Sequence, residues 1–135
     1  MHIHLKRGEK LYVNGAVLRL DRRATLELMN DAQFLMEGHI MQADRATTPL
    51  RQLYFVTQTM LMDPVNADMT AALYKHQAAQ LRRACHSPSV LAILERADRF
   101  VMQMRYFDAL KVLRSGFPAE DDILRGKTKL QVEAA

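Results

Sequence analysis

Thr48-Pro49-Leu50-Arg51-Gln52-Leu53-Tyr54-Phe55-Val56-Thr57-Gln58-Thr59-Met60-Leu61-Met62-Asp63-Pro64 divides the chain between two kinds of local pattern. Thr48 can cap a helix through its side-chain oxygen, and proline suits a first turn, where no backbone donor is needed. Leu50, Leu53, Tyr54, Met60 and Leu61 make one stripe at helical spacing, while Phe55, Val56 and Met62 lie off it. A helix that is apolar on most sides is buried on most sides. The segment therefore reads as the central helix of the domain or of a dimer, with Tyr54, Phe55, Val56 and Met62 all mostly buried and Asp63-Pro64 ending it.

Upstream the period changes from helical to two. Ile3 and Leu5 alternate with His2, His4 and Lys6, as in a half-buried strand, and Arg7-Gly8-Glu9 supplies a turn. Leu11-Tyr12-Val13 leads into Asn14-Gly15, a strong hairpin signal because both residues tolerate the positive φ of a type I′ turn. The return strand is expected to bury Leu18 and Leu20 and to expose Val17, Arg19 and Asp21. A further strand carries Leu26 and Leu28, Asn30-Asp31 turns into Gln33–Met36, and Gly38 precedes a last short strand through Ile40. Ala24–Glu37 also admits a helix by composition. Strands are preferred because Asn30-Asp31 interrupts the segment.

Downstream, one helix is expected from near Asp68 to about Cys85, burying Met69, Leu73, His76 and Leu81. Ser87-Pro88 opens the next stretch, where Val90, Leu94, Ala97, Val101, Met104 and Phe107 recur at threes and fours until Gly116 and Pro118 stop it. The fold class is thus α+β: an N-terminal antiparallel sheet of four or five strands in hairpins, then a bundle of three or more helices. One domain covers 1–118, with strands in 1–42 and helices in 48–116, and 119–135 reads as a mobile tail.

The 135 residues suit a single core, and 49% hydrophobic with 25% charged residues is a globular balance. Nine methionines fit core filling, with adaptable packing as their further use. A single cysteine, Cys85, forbids an intrachain disulfide. The N-terminus shows no signal-peptide pattern, and the longest apolar-dominated stretch, Leu53–Met62, is too short to span a bilayer, so a cytoplasmic location without membrane contact is expected. His2, His4 and His39 lack a carboxylate or thiolate at metal-ligand spacing. Glu120-Asp121-Asp122 lacks the turn chemistry of a calcium loop, and Cys85-His86 are neighbours only in sequence. No phosphate loop, dinucleotide fingerprint or nucleophile elbow is present. No cofactor, metal or catalytic residue is expected, and the protein does not read as an enzyme.

Charge points towards an anionic partner. The formal net charge is +4. Between Met69 and Arg114, Lys75, Arg82, Arg83, Arg96, Arg99, Arg105, Lys111 and Arg114 are opposed only by Glu95, Asp98 and Asp108. Such a field can grip phosphates, or can be a solvated face with local pairing. A second cluster, Lys6-Arg7 with Arg19, Arg22 and Arg23, gathers in the strand region. Tyr12 lies near it in sequence, as a ring for base stacking or as a half-buried strand residue. The candidate RNA contacts are Lys6, Arg7, Arg22, Arg23, Arg82 and Arg83, with the strand-side residues ranked first.

Three stretches carry a resemblance: Asn14-Gly15-Ala16-Val17-Leu18-Arg19, Glu37-Gly38-His39-Ile40-Met41, and Ala46–Val56 continuing through Gln58–Pro64. In this order they resemble the flagellar biosynthesis repressor FlbT family over roughly the first half of the chain. The resemblance implies a post-transcriptional repressor that binds the 5′ untranslated leader of flagellin mRNA and promotes its degradation, although some relatives activate. It implies no catalytic residues. The rival reading is an adaptor or chaperone-like module that binds flagellin or another flagellar regulatory protein through Met-rich helices, and a homo-oligomer is compatible with either. A shorter similarity links His2–Leu11 with the opening strand and turn of carbon storage regulator proteins, whose basic pair at the place of Lys6-Arg7 contacts mRNA leaders. The present sequence lacks the residue those proteins place between that pair and the glycine.

Overall fold

The structure, a computed structural model, describes residues 1–134, with side chains described to Gly126. Five short strands precede five helices: β1 (His2–Leu5), β2 (Lys10–Val13), β3 (Ala16–Arg19), β4 (Ala24–Glu27), β5 (Phe34–Met36), α1 (Pro49–Met62), α2 (Ala67–Ala84), α3 (Pro88–Met102), α4 (Tyr106–Ser115) and α5 (Phe117–Ala134). The α+β class is as read from the sequence, but the strands form two small antiparallel sheets, β1-β4 and β3-β2-β5.

Alternation in β1 works as the period-two pattern requires: Ile3 and Leu5 are buried between exposed His2 and His4. At the β2–β3 turn Asn14 and Gly15 take φ 49 and 84, the paired positive values of a type I′ hairpin. The return strand departs from expectation. β3 is an edge strand exposed along its whole length, Leu18 included, because among the described residues it pairs with β2 alone. After β5 the chain makes a 3-10 turn over Glu37–His39 instead of a strand. The buried Gln58 holds the following residues, accepting from the Met41 N–H at 2.8 Å and donating to the Met41 carbonyl at 2.6 Å.

α1 begins and ends where the sequence places it. Thr48 accepts the Arg51 N–H, and Asp63 caps the far end. Tyr54 and Val56 are buried, but Phe55 and Met62 are only half-buried, so α1 keeps one partly wet edge. α2 keeps Leu81 against the core but otherwise departs from the expectation. Its buried residues are Ala67, Tyr74 and Ala78, whereas Met69, Leu73 and His76 are exposed. Small side chains let α2 lie close against α1, and Tyr74 reaches over to donate to Asp98 at 2.7 Å.

The stretch expected to be one helix from Ser87 is two. Ser87 caps α3 as foreseen, but α3 stops at Met102 and α4 starts at Tyr106. α4 does end at Ser115 with Gly116 as its cap, as expected, but Pro118 is not the stop; it lies in the first turn of α5, where a proline is tolerated. The segment read as a tail therefore starts within α5. There Glu120 is buried, accepting the Leu50 N–H at 2.8 Å, and Asp121 pairs with Arg51 through two bonds of 2.7 and 3.0 Å. Ala135 lies outside the described residues.

The main core joins Leu35, Leu50, Leu53, Met60, Tyr74, Leu94, Leu110 and Leu113. A smaller one beneath the strands gathers Ile3, Leu5, Leu11 and Phe34. Phe107 of α4 packs against both, stacked on Phe34 with ring centroids 4.6 Å apart. The strand ends are thereby held at a fixed place relative to the helices. No helix among the described residues is long and apolar enough to cross a membrane.

Candidate nucleic-acid interface

The β1–β2 loop and the β3–β4 loop meet at one end of the strands. Register explains why. Leu5 pairs with Ala24, so Lys6 and Arg23 leave the β1-β4 sheet side by side. Lys10 pairs with Arg19, so these two enter and leave the other sheet together. A backbone bond ties the loops: the Gly8 N–H donates to the Leu20 carbonyl at 3.0 Å. Gly8 adopts φ +79, in the left-handed region that side chains disfavour, which lets this tight turn face the other loop.

Around this junction lie two shallow clefts. One, of about 340 Å³, is lined by His4, Leu5, Lys6, Arg23, Ala24 and Thr25. The other, of about 430 Å³, is lined by Arg7, Gly8, Arg19, Leu20 and Asp21. Six cations, Lys6, Arg7, Lys10, Arg19, Arg22 and Arg23, thus gather with only Glu9, Asp21 and Glu37 nearby in the loops and register. The carboxylates are partly committed to backbone donors. Glu9 accepts the Lys6 N–H at 3.2 Å and Glu37 accepts the Lys10 N–H at 2.9 Å. Arg22 and Asp21 stand 3.6 Å apart with both side chains more than four-fifths exposed, a pair that solvent screens heavily. Lys6, Arg7, Arg22 and Arg23 are all exposed. Lys10 was not singled out in the sequence, although its place, four residues before Asn14-Gly15, sets it opposite Arg19 once the hairpin register is drawn.

Tyr12 does not belong to this surface. It faces the main core, between Val17 of β3 and Leu35 of β5, and neither cleft is lined by Phe, Tyr or Trp, the His4 imidazole being the ring at the first. His4 is held to Thr25, Nδ1 to Oγ1 at 3.0 Å.

Of the helical cations, Arg82, Arg105, Lys111 and Arg114 are engaged within the protein, whereas Lys75, Arg83, Arg96 and Arg99 are exposed and in no ion pair among the described residues. Arg82 is ion-paired with Asp98, which also accepts from the Tyr74 hydroxyl. Burial, followed by the Asp98 charge, pushes the Tyr74 phenol well above its usual value, so it remains a donor. Arg105 pairs with Asp108 at 2.8 Å and covers the Phe100 ring. Lys111 lies over Phe107, and Arg114 covers Tyr54. Arg83 is exposed, but its neighbour is neutralised, so the expected Arg82-Arg83 pair presents one free charge. Among the described residues no group of three or more His, Cys, Asp and Glu is placed to hold a metal ion.

The helices carry a separate apolar feature. A cleft of about 470 Å³ between α2 and the end of α3 is lined by Ala71, Tyr74, Ala78, Val101, Met102 and Met104, with Asp68, Lys75 and Arg82 also on its wall.

The family model for flagellar protein FlbT matches residues 1–124. The chain belongs to the FlbT family. It is 49% identical over 136 residues to the "probable flagellum biosynthesis repressor protein FlbT 2" of Bradyrhizobium diazoefficiens, with all of both chains covered. The "probable flagellum biosynthesis repressor protein FlbT" of Mesorhizobium japonicum shares 44% over 126 residues, covering 93% of this chain and 86% of that protein. Its namesake in Rhizobium johnstonii shares 45% over 124 residues, covering 92% of this chain and 83% of that protein. No solved structure matches the chain. The FlbT match extends from β1 into α5, so it takes in both the basic loop junction and the α2–α3 cleft.

Proposed function

We propose that this FlbT-family protein is a non-enzymatic repressor of bacterial flagellum biogenesis. It acts in the cytoplasm by binding the 5′ untranslated region of flagellin mRNA and promoting its degradation. The relatives' names support the flagellar repressor role. The single observation that supports RNA as the ligand is the junction of the β1–β2 and β3–β4 loops. There six exposed or half-exposed cations are held in register by strand pairing, with few carboxylates free to neutralise them. Phosphates bind such a field with counterion release. With no Phe, Tyr or Trp lining either cleft, and His4 held to Thr25, phosphate-backbone and guanidinium contacts are favoured over base stacking. Degradation then falls to a cellular nuclease acting on a message whose structure or translation the bound protein has changed.

Binding of the purified protein to the flagellin leader should weaken steeply with salt, log affinity falling by about 0.7 per neutralised phosphate for a single strand. Affinity that is flat from low to moderate salt would overturn the reading.

The second reading is an adaptor for flagellin or another flagellar regulatory protein. The α2–α3 cleft favours it, because Met102 and Met104 are 80% and 61% exposed beside it. A Met102→Glu variant that loses flagellar regulation while keeping leader affinity would select this reading over RNA binding.

A further inference from the structure

α2 is apolar on two opposite faces. The inner face, with Ala67, Ala71, Tyr74, Ala78 and Leu81, packs into the main core. Half a turn away, Val65, Met69 and Leu73 follow one another at intervals of four and are 91%, 77% and 47% exposed. Val65 belongs to the 3-10 turn that runs into α2, so the three make a continuous ridge with the exposed Ala72 beside it. Single exposed apolar side chains are ordinary, but a helical row opposite a face already spent on the core is not accounted for by the folding of one copy.

The charges beside the ridge select its occupant. Asp68 and Lys75 are both exposed and lie seven residues, two helical turns, apart, which sets them on the same flank of the ridge. Neither belongs to an ion pair among the described residues. Lay a second α2 antiparallel on the first, with a two-fold axis passing between Ala71 and Ala72. Met69 then meets the partner's Leu73, and Asp68 meets the partner's Lys75, each contact occurring twice by symmetry. Ala72 leaves room at the centre for close approach. The two antiparallel helix dipoles also oppose.

We propose that the outer face of α2 is a homodimer interface, occupied by the same face of a second copy in antiparallel register. It shares no residue with the basic loop junction, so it stands or falls independently of RNA binding.

The test is sedimentation equilibrium on the full chain over a wide concentration range. The wild-type protein should show a monomer–dimer equilibrium. Met69→Glu with Leu73→Glu should weaken it by roughly tenfold or more, because the ridge sits at the interface centre. Both side chains are exposed in a single copy, so circular dichroism should report an unchanged helix content. Asp68→Lys alone should weaken the dimer, and adding Lys75→Asp should restore it. A wild-type protein that stays monomeric overturns the proposal and leaves the ridge to a different protein. A dimer indifferent to Met69→Glu with Leu73→Glu overturns it too, and a charge swap without recovery overturns the antiparallel register.

Discussion

Gln33 decides the path of the chain at a place some seventy residues away. Its amide nitrogen donates to the Met104 carbonyl at 2.8 Å, and its amide oxygen accepts the Tyr106 N–H at 2.6 Å. One side chain thus closes the end of α3 and opens α4. Between them Met104 takes φ 58, the Arg105 N–H reaches back to the Phe100 carbonyl and the Met104 N–H to the Val101 carbonyl. This is a Schellman ending with methionine where glycine is the usual residue. Two opposite outcomes follow, both readable from urea midpoints. Gln33→Ala leaves first-turn donors of α4 without their acceptor and should cost about 1–2 kcal/mol. Met104→Gly should stabilise by about 1 kcal/mol, because the left-handed conformation penalises a side chain that is already mostly exposed. The α3–α4 break was invisible in the local sequence for the same reason. Apolar spacing runs straight through Val101, Met104 and Phe107, neither Gly nor Pro marks the bend, and the cap comes from the strand half. Lys6, Arg7, Arg22 and Arg23 were legible one by one as exposed cations. Their neighbourhood needed the pairing of β1 with β4, which local pattern does not supply.

Elements dock here mainly through α1, and α5 shows how. Arg51 near the start of α1 lies over the Phe117 ring at 4.6 Å and forms its bidentate pair with Asp121. That hydrogen bond holds the Asp121 carboxyl below its ordinary range. The unfolded chain therefore takes up this proton at a higher pH than the folded one, and the stability the pair contributes above about pH 3.8 is lost as pH falls through the depressed folded value. His39 acts in the same direction, lowered by partial burial and then by Arg114, so acidification below about 6.5 charges it first in the unfolded chain. Acid unfolding should accordingly show two contributions, and Asp121→Asn should flatten the lower one while leaving the upper. The turn between α4 and α5 gives a steric prediction. A Cβ on Gly116 would stand 3.0 Å from methyl groups of both Ile93 and Leu50. Gly116→Ala should cost about 1–3 kcal/mol in a denaturant melt, since two packed side chains must shift. Element boundaries with caps were well read in the sequence: Thr48-Pro49, Asn14-Gly15 and Ser87-Pro88 all perform as their chemistry suggests. Faces were read less well. In α2, reading large residues as inward selected Met69 and Leu73, whereas close packing on α1 favours Ala67, Ala71 and Ala78.

At the scale of the whole molecule the two basic regions differ in how far the protein has already used them. The helical half carries the larger charge surplus in sequence, yet Arg82, Arg105, Lys111 and Arg114 are each engaged by a carboxylate or an aromatic face. A phosphate approaching Arg82 must compete with Asp98. The strand half carries fewer cations, but its loop junction leaves them outward and close together, on a base fixed by the Gly8–Leu20 bond. Preorganised, uncompensated charge binds an anion with less loss than charge that must first break an internal pair. Lys6→Ala with Arg7→Ala should therefore weaken leader binding by at least about tenfold, or 1.4 kcal/mol. It should also reduce the salt slope by about 0.7 for each lost phosphate contact on a single strand. The melting temperature should barely move, because both side chains are exposed. Arg82→Ala with Arg83→Ala should do the reverse: a smaller loss of RNA affinity, with a measurable loss of stability from leaving Asp98, the acceptor of the Tyr74 hydroxyl, without its cation. If the helix pair proves the more damaging to binding at unchanged stability, the RNA lies along α2 and the loop junction is a bystander.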